Sequence, residues 1–368
     1  MTLMTIIIVV LIIQWIVVIW NRHALLKTRD NDSKTDTSAI KLSILVPARD
    51  EEANMEALIT SIYHQTVLPD EVIVLDDHSS DRTPEILIEL KQKYSTLKVL
   101  QGKRLPEDWS GKSYACHQLA KEAKGDWFVF LDADARLYPN ALKELIAFLP
   151  SQKTGIVSGF PKQVVKTLSE ALVVPLMMTF IMMHLPIRYV TKSQNPKFSA
   201  AHGGFIAIER SSYHKAGGHQ AIRSSIVDDM ALFTRQRAFG FPATLMKVDD
   251  WVCMRMYDSF KGVYTGFQKN IFAGVGRRVP LLLFVMLYYI GLFVMPFFLT
   301  PVVPISLVVV SYALGVGIKW IIDRTNRIPV WVSLLMPFSM ILFVLIGTSS
   351  MVRSVTKKGY QWKGRHYQ

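Results

Sequence analysis

Three clusters of acidic residues each follow a short apolar run. Pro47-Ala48-Arg49-Asp50-Glu51-Glu52 follows Leu42–Val46, Asp76-Asp77-His78-Ser79-Ser80-Asp81 follows Glu71–Leu75, and Asp132-Ala133-Asp134 follows Trp127–Leu131. Carboxylates gathered at one place repel unless they bind a cation or accept hydrogen bonds. Oxygen donors without Cys or clustered His suit Mg2+ or Mn2+. Glycine-based phosphate cradles are not found. No G-x-G-x-x-G follows the first apolar run, and Gly111-Lys112-Ser113 has Pro106 where a P-loop needs Gly.

The segments that must position these clusters alternate. Strands are expected at Leu42–Val46, Glu71–Leu75, Lys98–Leu100, Trp127–Leu131 and Gly155–Gly159. Helices are expected at Glu51–Gln65, from Pro84 to about Tyr94, Lys112–Ala123 and Leu142–Leu149. Such alternation implies an α/β domain with a mostly parallel sheet flanked by helices. Ligands of these sheets bind beyond the carboxyl ends of the strands, where the acidic clusters sit.

The rest of the chain is unusually apolar. Of 368 residues 50% are hydrophobic, and mean hydropathy is +0.25. Leu3–Trp20, Val279–Ile318 and Ile328–Val352 contain no charged residue. A bilayer crossing needs ~20 apolar residues, so these runs predict one, two and one spans. The net charge of +13 invites a nucleic-acid reading, but residues 1–40 and 279–368 hold 12 basic against 4 acidic side chains. Arg22, Lys27, Arg29, Lys34, Lys357, Lys358, Lys363 and Arg365 flank the apolar runs, as expected beside a membrane. No nucleic-acid partner is therefore expected. The first run has no basic n-region or small-residue cleavage site and reads as an anchor. Cys116 and Cys253 form no disulfide framework, which fits a reducing cytosolic compartment.

With the motifs in view, the chain resembles the family 2 glycosyltransferases of the GT-A fold. The resemblance rests on Ser43–Glu52, Val74–Thr83, Trp109–Cys116, Phe130–Asp134 and Val227–Leu232, and it spans roughly residues 41–278. The Trp109–Cys116 element, Arg255-Met256-Tyr257, Gly266–Asn270 and Trp362–Arg365 narrow it to the membrane-anchored, lipid-glycosylating subgroup. That subgroup includes bacterial C30-carotenoid (diaponeurosporenoate-type) glucosyltransferases. The resemblance implies inverting, metal-dependent transfer of one hexose from a UDP-sugar to a membrane lipid. It implies that Ala48, Arg49 and Glu51 line the nucleotide pocket, with Asp77 accepting from the uracil ring and Asp76 beside it. Lys112 would approach the diphosphate or sugar. Asp132 and Asp134 would form the D-x-D, with Asp134 the more direct metal ligand. Asp229, next to Asp228, would be the acceptor-side base.

Two residues depart from the family pattern: Asp50 stands where Asn is usual, and His78 replaces a Gly. Asp50 should still cap the following helix, and His tolerates left-handed backbone. The R-x-x-R-W element of processive synthases is absent, which favours single-sugar transfer. His202 and His219, in glycine-rich loops, are lesser candidates for substrate contact. The Met-rich stretch Ala171–Ile187, broken by Pro175 and Pro186, is expected either to border a lipid-acceptor groove or to form an ordinary buried helix. Residues 256–278 are expected to hold an interfacial amphipathic helix.

The resulting plan is an anchor and linker over 1–40, a GT-A domain over 41–255, the interfacial helix, two to three transmembrane helices over 279–352 and a basic tail over 353–368. The catalytic domain is expected on the cytoplasmic face of the cell membrane. Competing expectations are diacylglycerol, ceramide-like or polyprenyl-phosphate acceptors, or a non-enzymatic nucleotide-sugar sensor.

Overall fold

The computed structural model describes residues 1–27, 40–356 and 359–367. The linker expected over Asp30–Ala39, together with Arg29, Lys34, Lys357 and Lys358, lies outside the described residues. The described chain forms two compact units. Residues 25–27, 40–162 and 187–254 make one, and residues 1–24, 163–186 and the part from 255 onward make the other.

The first unit is built on a seven-stranded sheet. Its leading strands are β1 (Leu42–Ala48), β2 (Glu71–Asp76), β3 (Leu97–Gln101) and β4 (Trp127–Phe130). The order is β3-β2-β1-β4, continued by Ile206–Glu209, Ile156–Gly159 and Ala243–Met246. β1 runs parallel to β2 and β4, and β2 to β3, while Ile206–Glu209 is antiparallel to both its neighbours. The sheet is thus mixed but mostly parallel, as the alternation implied. β2 and β4 are buried at every position. Both faces are covered, which explains continuous apolar runs in place of strict alternation. Ile44, Val46, Val74 and Val129 pack with Leu58, Leu87 and Leu145 in one core. Each such buried side chain contributes ~1.5–3 kcal/mol, so packing rather than the charged rim holds the strands in place.

Register decides where the acids emerge. Ala48 pairs with Asp76, Asp76 with Gln101, and Leu45 with Phe130. The chain turns one way from β1 to reach β2 and the other way to reach β4, so the order reverses between β1 and β4. A crevice forms at such a point outside the strand carboxyl ends. All three acidic clusters leave the sheet there.

Two helix boundaries differ from expectation. The first helix spans only Met55–Tyr63, because residues 51–54 are drawn into the site turn. The Glu51 N–H donates to Thr83 Oγ1 and the Glu52 N–H to Asp81 Oδ2. Ala141–Gln152 runs past the expected end and carries Pro150 inside it.

The second unit is helical and apolar. Among the described residues, three helical segments have the length and composition to cross a bilayer: Thr2–Arg22, Ile305–Thr325 and Val330–Val355. Within the stretch expected to give two spans after residue 278, Ile305–Thr325 has the length to cross by itself, and Val279–Phe293 has it only as a bent pair with Phe260–Gly274. Val279–Phe293 has only 15 residues, about 22 Å of helix, and the one-turn helix Met295–Phe298 followed by Pro301 and Pro304 separates it from Ile305–Thr325. That short helix meets Phe260–Gly274 at a bend of 116°. The expected interfacial helix begins at Phe260, where Ser259 caps it by accepting from the Gly262 N–H. Its Val263 packs with Leu172, Val173 and Ile346, and Gln268 Nε2 donates to Ser349 Oγ. One face therefore serves internal packing.

The expected charge-free spans need one correction. Ile305–Thr325 continues beyond Ile318 and buries Lys319 and Asp323 completely as an ion pair one turn apart. Ser333 Oγ donates to Asp323 Oδ2 at 3.2 Å. The Met-rich stretch forms two short helices, Leu168–Val173 and Leu176–His184, broken at Pro175. Leu176, Met178, Met182 and Met183 are buried. The final residues form a hairpin, Tyr360–Trp362 against Arg365–Tyr367. Lys363 and Gly364 turn it with φ of 45° and 73°, both positive as a two-residue primed turn requires.

Candidate active site

Three chain segments converge on Lys112. Ser110 caps the Gly111–Glu122 helix by accepting from the Ser113 N–H at 3.3 Å, which places Lys112 in its first turn. Lys112 Nζ lies 2.6 Å from Asp132 Oδ1 and 3.9 Å from Asp228 Oδ2. Burial works against the ammonium, but Asp132 and Asp228 outweigh it and hold its pKa well above the ordinary lysine value.

Asp228 and Asp229 open the Asp228–Ala238 helix, whose N-terminal dipole favours acids. Asp229 is tied down through both oxygens: Oδ2 accepts from the Gly203 N–H at 2.8 Å and Oδ1 from the Met230 N–H at 2.7 Å. Burial, reinforced by the neighbouring Asp228 charge and moderated by Lys112, pushes its carboxyl up to about 6. A carboxylate poised there stays ionised at neutral pH yet is a better proton acceptor than an ordinary aspartate.

Gly203 is the residue that motif reading overlooked. A Cβ at this position would stand 2.8 Å from Lys112 Nζ, 3.1 Å from Asp132 Oδ2 and 3.7 Å from Asp229 Oδ2. The backbone thus passes through the middle of the charged group, and only a residue without a side chain leaves that space open. The doublet Gly203-Gly204 beside His202 was the available signal.

The turns from β1 and β2 interlock. Arg49 Nη1 donates to the carbonyls of Asp77 and His78, and the Asp77 N–H donates to Ala48 O at 2.8 Å. Asp76 Oδ1 accepts from both the N–H and the hydroxyl of Ser79, so its carboxylate closes the turn. His78 adopts a φ of 56°, the left-handed backbone allowed for at this departure. Asp50 does not cap the following helix as expected. At a φ of 51° its Oδ1 accepts from the Ser80 N–H at 2.7 Å. Glu51 Oε2 accepts from Asn54 Nδ2 at 2.9 Å.

Asp134 lies on the turn after β4 that Arg136 braces, donating to Ala133 O at 2.9 Å and to Asn54 Oδ1 at 3.0 Å. Asp132 and Asp134 offer only carboxylate oxygens, a hard donor set. The Lys112 ammonium occupies the cationic position beside Asp132. A divalent ion could be held there with Asp132 and Asp134 as ligands, which fits Mg2+ or Mn2+ and no softer ion. The two histidines in glycine loops are neutral. Burial pushes His202 and His219 down to about 4. His202 Nδ1 accepts from the Gly204 N–H at 3.0 Å, so it shapes the loop.

Residues 43–217 match the family model described as glycosyl transferase family 2. A 4,4'-diaponeurosporenoate glycosyltransferase of Staphylococcus haemolyticus strain JCSC1435 is 30% identical over 277 residues, covering 74% of this chain and 72% of its own length. The chain belongs to glycosyltransferase family 2. A protein of the same description from Staphylococcus aureus strain N315 is 28% identical over 266 residues, covering 71% of this chain and 68% of its own. This family 2 enzyme is also similar in fold to a mannosyltransferase from Pyrobaculum calidifontis, solved in complex with GDP-Man and Mn2+. The TM-score is 0.56 at 16% identity, over 97% of this chain and 99% of that one. The fold is GT-A, and the enzyme is a glycosyltransferase.

Of the residues expected in the site, Lys112, Asp132, Asp228 and Asp229 are gathered within hydrogen-bond or ion-pair reach of one another or of Gly203. Ala48, Arg49, Asp76 and Asp77 form the adjoining interlocked turns, with Glu51 at their rim. Asp134 follows Asp132 on the same loop.

Proposed function

We propose that this glycosyltransferase transfers one hexose, glucose from UDP-glucose, with inversion to a carotenoid-type terpenoid in the cell membrane. The observation carrying the proposal is the convergence of Lys112, Asp132 and a tethered, raised Asp229 around Gly203 at the strand carboxyl ends. The relatives named for diaponeurosporenoate support the acceptor class, and the neighbour holding GDP-Man and Mn2+ supports a nucleotide-sugar donor and a divalent ion.

In the proposed reaction Arg49 and the 76–81 turn shape the wall that receives the nucleotide, with Asp77 on the base. Asp132 and Asp134 would hold Mg2+ or Mn2+, which when bound supplies Lewis-acid neutralisation of the leaving diphosphate. Lys112 is a fixed cation for the same developing charge. Asp229 stands on the acceptor side and takes the hydroxyl proton as the acceptor oxygen attacks the anomeric carbon opposite the leaving group. Gly203 holds that carboxylate and keeps the space for the reacting sugar clear.

A carboxylate acceptor is the second reading, and the relatives' names favour it, since diaponeurosporenoate is an acid. Such an acceptor is ionised already and needs no base, whereas Asp228 and Asp229 would repel it. The raised Asp229 favours the hydroxyl.

For the membrane we propose three crossings, with the bent pair 260–293 entering without crossing. The catalytic residues and the C-terminal hairpin then lie on the same, cytoplasmic side, which accounts for the basic Lys363 and Arg365. The test is UDP release from UDP-glucose by membranes bearing the enzyme, with and without EDTA, with mass spectrometry of the lipid extract. A glucosylated terpenoid that needs both enzyme and divalent ion supports the reading. UDP release without any glycolipid product would refute the acceptor assignment.

A further inference from the structure

Behind Lys112 lies a second group of ligand atoms with different chemistry. Cys116 sits one helical turn beyond Lys112, His219 follows Gly217-Gly218, and Asp228 opens its helix. One ligand atom from each lies within 4.8 Å of the other two. All three residues are buried. A bound ion needs its ligands about 3.3–3.8 Å apart at zinc bond lengths of 2.0–2.3 Å, so a rotamer adjustment closes the set.

We propose that Cys116, His219 and Asp228 form a binding site for a borderline-soft divalent cation, Zn2+, separate from the D-x-D, and that its occupancy switches the enzyme off.

The donor set argues for zinc over the ions suited to the D-x-D. A thiolate and an imidazole select Zn2+, while carboxylate oxygens alone suit Mg2+ or Mn2+. The imidazole is already held as metal-bound histidines are. Its Nδ1 lies 3.0 Å from Tyr213 Oη, so the tautomer that donates Nδ1–H to this oxygen leaves Nε2 for the cation, and the His219 N–H donates to Tyr213 Oη at 3.1 Å. A partner of this kind fixes the ring and raises its basicity. Beside Asp228 stand Lys112 and Asp132, whose side chains are partly exposed, and this is the side from which a cation would enter. On binding, the Cys116 S–H proton is released to solvent and the thiolate takes up the ion, with no change of oxidation state.

The consequence for turnover follows from Asp228. Lys112 Nζ is 3.9 Å from Asp228 Oδ2, and a dication on that carboxylate repels the ammonium from the place where it faces Asp132. The existence of the site does not depend on the proposed reaction; only its inhibitory effect does.

The test uses the full-length enzyme in detergent. Co2+ added to metal-free enzyme should give a near-ultraviolet thiolate-to-cobalt charge-transfer band that Zn2+ abolishes and excess Mg2+ does not. The band should be missing in Cys116→Ala and weakened in His219→Gln. In the UDP-release assay Zn2+ should inhibit at saturating Mn2+ and UDP-sugar. Cys116→Ala, which keeps basal turnover, should raise the inhibitory concentration by ~100-fold or more, since loss of even an outer partner costs ~10–100-fold in metal affinity. No charge-transfer band in wild-type enzyme, or the same band in Cys116→Ala, overturns the site. A cysteine-dependent band with unchanged turnover overturns the switch alone. Inhibition relieved by excess Mn2+ places the zinc on the D-x-D, and that also overturns the switch.

Discussion

Replacing Asp229 by Asn separates chemistry from folding, because the two respond with opposite signs. The folded protein raises this carboxyl from 3.8 to about 6. At 1.36 kcal/mol per pKa unit, keeping it ionised costs the fold ~3 kcal/mol above pH 6, before discounting for the water that reaches a half-buried group. A raised pKa means that the penalty is absent below pH ~4 and complete once pH has passed about 6. Asparagine removes the charge but has one acceptor oxygen. It must release either the Gly203 or the Met230 N–H, a loss of ~1 kcal/mol. The variant should therefore unfold at a higher temperature than wild type at pH 8, by the equivalent of ~2 kcal/mol, and at a slightly lower one at pH 4.

Turnover should move the other way. With a hydroxyl acceptor, losing the base should reduce kcat by ~10²–10⁴-fold. Wild-type kcat/KM should fall tenfold per pH unit below about 6, where Asp229 takes up its proton. With a carboxylate acceptor the variant should lose little and the acid limb should vanish. Scanning calorimetry in detergent at the two pH values and a UDP-release series from pH 5 to 8 read both arms. A stabilised variant that turns over a hydroxyl acceptor at a near-normal rate would refute the assignment of Asp229 as base.

The other predictions test separate parts of the structure. Gly203→Ala pushes the side-chain ends of Lys112 and Asp132, since its Cβ would meet Nζ at 2.8 Å and Oδ2 at 3.1 Å. Stability should hardly change while kcat falls ~100-fold, the scale of a 1 Å misplacement; a normal kcat would show that Gly203 does not set the position of Lys112. Asp134→Asn should weaken the binding of Mn2+, seen as a higher activating concentration in EDTA-treated membranes. An unchanged titration would remove Asp134 from the metal site. Lys319→Met strands Asp323 in an apolar helix and should cost ~3–5 kcal/mol, whereas Lys319→Met with Asp323→Leu should recover most of it. Equal melting of the single and double variants would contradict a paired charge.

What could be read from the sequence and what could not divides along a physical line. β2 and β4 announce themselves because a strand covered on both faces is apolar through its middle, and Val72–Leu75 and Trp127–Leu131 are. The D-x-D and Asp228-Asp229 are legible for a related reason: a charge at the rim of such a sheet is costly unless it has work or a partner. Gly203 resists the same reading, since its role is to leave space, and space appears only once Lys112, Asp132 and Asp229 have been brought around it by two helices and a strand end far apart in the chain. Asp76 misleads in the opposite direction. It shares a doublet with Asp77, yet its carboxylate is spent on Ser79 within its own turn, a local hydrogen bond that any Asp three residues before a Ser N–H can make. The apolar helices show the third case. Ile318 looks like the end of a span because Lys319 and Asp323 are charged, but at one-turn spacing each neutralises the other's field, and the helix runs on to Thr325. Hydropathy counts the two charges as costs in lipid, whereas geometry makes them one paired unit, and only the helical register distinguishes these readings.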